Sequence, residues 1–191
     1  PAHIEHFGSE DRIADAKEEI FEGLEPGGVA IIPADSPHYA RLRGHAEKFA
    51  SRIVSFGFSE SADVRCIDHL AIANGGSLIT AKLPGAMLQY ELSQPGDHWV
   101  ANSLAVLAAV QAVGADLAVA GLALADMGGL KGRGARHRIA VQGGEALLID
   151  ESYNANPASM SATLKGLGVA DADRRMAVLG SMKELGDQSA K

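Results

Sequence analysis

Residues 11–24 (DRIADAKEEIFEGL) place apolar side chains at Ile13, Ala16, Ile20 and Leu24. That spacing predicts a helix, with Ser9 or Asp11 as its cap. Pro26-Gly27-Gly28 ends it. Val29-Ala30-Ile31-Ile32 is a short continuous apolar run, the pattern of a strand covered on both faces. Pro33 to Pro37 follows as a loop at the carboxyl end of that strand, where ligands sit in open α/β sheets. His38 to Ala50 reads as a second helix.

From Arg52 to Leu92 the texture changes. IVSFGF, VRCIDHLAI, SLITAKL and AMLQYEL are short, β-rich and separated by turn residues such as Asn74-Gly75-Gly76 and Pro84-Gly85. They predict a small antiparallel segment. Pro95-Gly96-Asp97 then opens an apolar helix over about 98–113. Gly114 breaks it, and Ala115 to Met127 forms another. The basic glycine loop Gly128 to Gly134 is the expected domain boundary. RHRIAVQ and EALLID flank Gly143-Gly144 and predict a hairpin. The loop Glu151 to Pro157 leads into a helix over about 158–168, and Ala177 to Gly180 is expected to be a further buried strand. Strand, loop, helix, strand is the opening of an α/β layer.

Composition narrows the class. The chain has 191 residues, 47% of them hydrophobic and 21% charged, with a net charge of −7. These are globular proportions, not those of a disordered chain. The acidic balance argues against general nucleic-acid binding, which needs clustered Lys and Arg. Cys66 is the only cysteine. That excludes an internal disulfide and a cysteine-based zinc site, and suits a reducing compartment. As a lone thiol in a strand it reads as packing rather than as a nucleophile. The start PAHIEHFGSEDR has no basic region followed by an apolar one, so no signal peptide is read. The longest apolar stretch, Trp99 to Val113, is shorter than the roughly 20 residues of a membrane span. A soluble cytoplasmic protein is expected.

Four segments carry candidate chemistry, and each has a plainer reading. Residues 150–160 (DESYNANPASM) crowd carboxylates, amides and a tyrosine directly after an apolar strand. Such groups suit ribose or phosphate oxygens; an Asx turn with a helix cap would also use them. His98 and Asn102 lie four apart and share one helix face. Asn can pair bidentately with an adenine edge, and the alternative is a capping His with a local polar contact. Lys131, Arg133, Arg136 and Arg138 stand among glycines, where an Arg can reach a phosphate bidentately or belong to a solvated linker. His3 and His6 could share a metal, or decorate an exposed terminus. Lys17 sits among Asp15, Glu18 and Glu19, where a surface ion pair is the default. No GxxxxGK[ST], GxGxxG or GxSxG pattern suited to a phosphate loop, dinucleotide fold or hydrolase elbow occurs.

Taken in chain order, PAHIEHFGS, IADAKEEIF, IIPADSP, PGDHWVANSLAVLAAV, GRG, DESYNANPASM and GSMKELG resemble the Mur ligases. These are ATP-dependent amide-forming enzymes of peptidoglycan synthesis. The SYNANP string points within them to the MurF type, which joins D-alanyl-D-alanine to UDP-N-acetylmuramoyl-tripeptide. The resemblance implies an α/β fold. Residues 1–132 would be the second half of the central ATPase domain, and 133–191 the beginning of a Rossmann-like third domain. The phosphate loop and first domain would lie before Pro1, so this section alone is expected to be inactive.

The resemblance also implies the chemistry. ATP phosphorylates the tripeptide carboxylate, the dipeptide amine attacks the acyl phosphate, and a tetrahedral intermediate collapses to amide, ADP and phosphate. ATP and Mg2+ are the implied cofactors. His3 matches a histidine that helps hold magnesium, and Lys17 matches a lysine carbamylated in the family. Asn102 matches the adenine-contacting Asn, with His98 beside it. Arg133 matches the Arg that reaches the nucleotide, so His3, Lys17 and Arg133 are the implied catalytic set. Glu151 matches the acidic residue near the ribose, with Asp150 adjacent; Tyr153, Asn154 and Asn156 belong to the same loop. Two positions depart from the family pattern. Pro33 and Ser36 flank Asp35 where the family has Asn and a second Asp, and Gly180-Ser181-Met182 replaces GDM. Another Mur-type or folylpolyglutamate-synthase-like ligase, or a non-catalytic nucleotide-binding module, stays open. The UDP-tripeptide and the dipeptide are the implied partners, with no nucleic acid and no membrane span.

Overall fold

A computed structural model describes residues 9–73, 75–129 and 131–182. These fall into two compact units. One is Ala14–Met127; the other takes in the described residues from Gly128 on, with those up to Ile13. The division falls at the first residue of the glycine loop.

The first unit is built on a five-stranded sheet in the order β1 to β5. Helix α1 (Glu10–Glu18) runs into a 3-10 turn, Glu19–Gly23. The helix is thus shorter than the periodicity of residues 11–24 predicts, because the last turn tightens to bury Phe21. β1 (Val29–Pro33), α2 (Tyr39–Ala46) and β2 (Arg52–Gly57) form a β–α–β crossover, and β1 and β2 pair in parallel. β2 also meets β3 (Val64–Ala71) in parallel, through two registered pairs only. β3, β4 (Ser77–Leu83) and β5 (Ala86–Leu92) are antiparallel. The expected antiparallel segment therefore begins at β3. β2 belongs to the parallel half because the α2 crossover returns the chain in the same direction.

Both faces of the sheet are covered, which explains the apolar run in β1. Ala30 and Ile32 face a small core with Phe21, Leu42 and Ala46. Val29 and Ile31 pack on the opposite, larger core, where α3 (Asp97–Ala112) buries Val100, Leu104 and Leu107 against Val64, Ile79 and Leu92. α4 (Leu117–Ala125) packs on β5; Asp116 caps it by accepting from the amides of Ala118 and Val119. Tyr90 and Ser103, both buried, share a hydrogen bond of 2.6 Å across this core. Burial of the ring pushes the Tyr90 phenol up to about 12. Cys66 is buried in the same core, and burial raises its thiol, as suits a packing residue rather than a nucleophile.

Parallel pairing brings the loops after β1 and β2 to one edge of the sheet. Asp35 accepts from the amides of Phe58 (2.7 Å) and Ser59 (2.9 Å). Gly57, with φ at +147°, lies against that carboxylate and leaves no space for a side chain.

The second unit is described by a hairpin and a helix. β6 (Ala135–Val141) pairs antiparallel with β7 (Gly144–Asp150) around the predicted turn. α5 (Pro157–Val169) follows. The expected strand at Ala177–Gly180 is absent. The segment pairs with no other strand, and Val178 and Leu179 are 91% and 58% exposed. An apolar run becomes a strand only where a neighbour accepts its hydrogen bonds, and the described residues provide none there. No helix among the described residues is long and apolar enough to cross a membrane.

Candidate nucleotide-facing residues

In the first unit the amino end of α3 carries His98 and Asn102 on one face, one turn apart. Gly96 precedes the helix with φ at +101°, and a β-carbon there would sit 3.2 Å from the His98 ring. Partial desolvation lowers the His98 pKa, while the neighbouring Asp97 charge acts the other way more weakly. Asp97 itself lies 3.5 Å from His69 Nε2, and the Phe58 ring meets the His69 ring edge-on at 5.9 Å. Asn102 is exposed, and its amide makes no hydrogen bond among the described residues. It presents a donor and an acceptor outward, the pattern an adenine edge needs.

In the second unit the glycine loop and the segment after β7 close on each other. Gly132 donates to Asp150 Oδ2 (3.1 Å), Gly134 donates to the Asp150 carbonyl (3.0 Å), and Tyr153 donates to the Gly132 carbonyl (3.0 Å). Gly132 has φ at +73°, and a β-carbon on it would stand 2.8 Å from the Tyr153 amide nitrogen. Only glycine fits. Between these glycines the exposed Arg133 lays its guanidinium 4.2 Å from the centre of the Tyr153 ring. Stacking holds the charge in place and leaves the N–H edge available. Hydrogen bonds from Ser152, then the Gly132 amide and the His137 charge, hold the Asp150 carboxyl below the usual range. Partial burial and the charge of Asp150 push Glu151 up.

The loop after Asp150 divides its labour. Asn156 caps α5: its side chain accepts from Ser159 N (2.9 Å), and Ser159 Oγ accepts from Asn156 N (2.9 Å), a reciprocal capping box. Asn154 accepts from the next amide, Ala155 N, at 2.9 Å. Tyr153 carries the Arg133 stack. For Asn156 the plainer reading, a cap, is the one the geometry displays.

Lys17 is exposed on α1 and makes no ion pair among the described residues. The surface pair expected from its acidic neighbours does not form, because Asp15 and Glu18 are engaged by Arg41 of α2. His3 lies outside the described residues. Among those residues no group of three or more His, Cys, Asp or Glu side chains is placed to hold a metal. The described part of the implied metal-holding pair is Lys17, whose unmodified side chain is not a magnesium ligand, so the described residues do not by themselves fit a magnesium site. Sequence reasoning missed the Asp35 contacts and the role of Arg41. Reading β1 and β2 as parallel neighbours would have exposed the first, since it places both loops at one sheet edge.

Comparison with known proteins adds to this geometry. Residues 1–110 match the model of the Mur ligase middle domain. The chain belongs to the Mur ligase family. It is 33% identical over 188 residues to the UDP-N-acetylmuramoyl-tripeptide–D-alanyl-D-alanine ligase of Escherichia coli, covering 98% of this chain and 40% of that protein. It is 32% identical over 166 residues to the UDP-N-acetylmuramate–L-alanine ligase of Kineococcus radiotolerans, covering 86% and 34%. A crystal structure of MurF from Acinetobacter baumannii superposes with a TM-score of 0.86 at 33% identity, covering 98% of this chain and 39% of that one. MurF from Thermotoga maritima in complex with ADP superposes at 0.75 with 25% identity, covering 98% and 41%. The chain spans about 40% of the length of the D-alanyl-D-alanine ligases it matches. The α/β fold and the resemblance read from the motifs agree with these findings.

Proposed function

We propose that this chain supplies nucleotide-facing residues to an ATP-dependent ligase of the MurF type. Such an enzyme joins D-alanyl-D-alanine to UDP-N-acetylmuramoyl-tripeptide through an acyl phosphate. Family membership supports ligase chemistry and peptidoglycan synthesis. The SYNANP string supports the MurF type, as do relatives of that type matched over nearly the whole chain. The observation that carries the nucleotide reading is the outward amide of Asn102, without a partner among the described residues, one turn from His98 on α3.

In this reading residues 1–132 belong to the central ATP-binding domain and 133–191 open the third. His98 and Asn102 bind the adenine edge. Glu151 and Asp150 stand toward the ribose, with Tyr153, Asn154 and Asn156 shaping that loop, and Arg133 meets phosphate charge. His3 and Lys17, the latter as a carbamate, are the residues through which the chain would contribute to holding Mg2+, which supplies charge neutralisation during phosphoryl transfer.

A substrate panel tests the type. A full-length ligase carrying this chain is expected to form amide from UDP-N-acetylmuramoyl-tripeptide and D-alanyl-D-alanine. It should leave UDP-N-acetylmuramate and L-alanine unjoined. The reverse preference would assign it to the L-alanine-adding type.

A further inference from the structure

Trp99, the chain's only tryptophan, follows His98 in the first turn of α3. It packs against the larger core yet is only partly buried, and His98 beside it is exposed. The two ring centroids are 5.7 Å apart and the planes are inclined at 45°. Rings at that angle are not stacked face to face, so neither covers the whole face of the other. The His98 ring also stands against Gly96, where a β-carbon would press on it at 3.2 Å. The imidazole thus has the Gly96 backbone and the indole as neighbours. Asn102 follows His98 by four residues and Trp99 by three. That sets it about 40° from the first and about 60° from the second around the axis, between the two. Helical side chains lean toward the amino end, so the Asn102 side chain stands over the turn that carries both rings. Its amide has no hydrogen-bond partner among the described residues. Two aromatic surfaces and a free amide edge therefore meet at one point of the surface. A flat heterocycle uses both, a plane to stack on and an edge to pair with.

We propose that Trp99 is the base-selecting residue of the nucleotide site: its indole, with the His98 ring, takes the plane of a purine base while Asn102 pairs with the purine edge. The inference rests on the proposed reading of His98 and Asn102 as base-facing residues. The amide of Asn102 offers one donor side and one acceptor side, and cytosine can meet that pattern as well as adenine can. The choice between purine and pyrimidine therefore falls to the aromatic surface. Stacking gains with the area of ring covered, so a two-ring purine gains more on the indole than a one-ring pyrimidine does.

The test titrates the 15N-labelled 191-residue chain with ADP and, separately, with CDP; Trp99 contributes its only indole N–H signal. In the wild type, ADP is expected to move that indole signal together with the amides of Gly96 to Ser103, and to bind about tenfold more tightly than CDP. Trp99→Leu keeps apolar bulk against the core and removes the aromatic face. It should lose most of the preference by weakening ADP, with CDP unchanged. Trp99→Phe, which keeps an aromatic face, should restore part of it. Unaltered β3 to β5 amides in both variants are the control for folding, and the wild-type indole shift needs no variant. Suppose ADP moves the helix amides, but the indole signal stays still, the wild type binds ADP and CDP equally, or Trp99→Leu keeps the wild-type preference. Any of these overturns the base-selecting role and leaves the nucleotide reading standing. If neither nucleotide moves Gly96 to Ser103, the nucleotide reading fails and the role of Trp99 with it.

Discussion

Arg133→Ala is expected to lower turnover about 100–1,000-fold in a full-length ligase carrying this chain, the usual cost of removing one preorganised group aimed at developing charge. The preorganisation is visible locally. Two buried glycines with positive φ flank Arg133, their amides bind Asp150, and the guanidinium is stacked 4.2 Å over Tyr153. The charge is thus held by a ring face, which spends none of its N–H donors. Arg133→Lys should recover only part of the loss, because an ammonium neither stacks as a plane nor offers two parallel donors. Steady-state kinetics separates the outcomes. A fall in kcat with unfolding behaviour unchanged supports the role, whereas unchanged turnover removes Arg133 from the site.

Leu104→Ala should cost about 2–5 kcal/mol of stability. Leu104 is fully buried on α3, between the sheet-facing Val100 and Leu107. The deletion leaves a cavity that flanking side chains refill only partly, since the larger core is already close-packed. Two residues earlier on the same helix lies Asn102, so the core that Leu104 fills also sets where the amide proposed to meet adenine stands. Urea unfolding measures the loss as a lower midpoint at constant slope. A shift below about 1 kcal/mol would mean that α3 is not anchored as described.

Much of the fold was legible in the chain, and the failures share a cause. α3, α4, the β6–β7 hairpin and α5 follow from local pattern: a long apolar period ended by Gly114, a Gly143-Gly144 turn, and Asn-Pro before a helix. What local pattern does not carry is direction and partnership. β2 looks like its antiparallel neighbours in composition, yet a crossover through α2 makes it parallel. Ala177–Gly180 has the apolar content of a strand and no partner to pair with among the described residues. The same division holds at the candidate site. Asp150 to Asn156 stood out as a polar loop, and His98 with Asn102 as one helix face. The approach of the Gly132 backbone to Tyr153 depends on two loops meeting. So does the engagement of Asp15 and Glu18 by Arg41, which leaves Lys17, among the described residues, without the ion pair its neighbours suggest.

The most direct test of the central claim is an ADP titration of the 15N-labelled 191-residue chain, followed amide by amide. Shifts are expected at Gly96 to Ser103 in the first unit and at Arg133 and Glu151 to Asn154 in the second, and Asn102→Ala should weaken the first set. Shifts confined to other residues, or none at millimolar ADP, would contradict the assignment of these residues to a nucleotide.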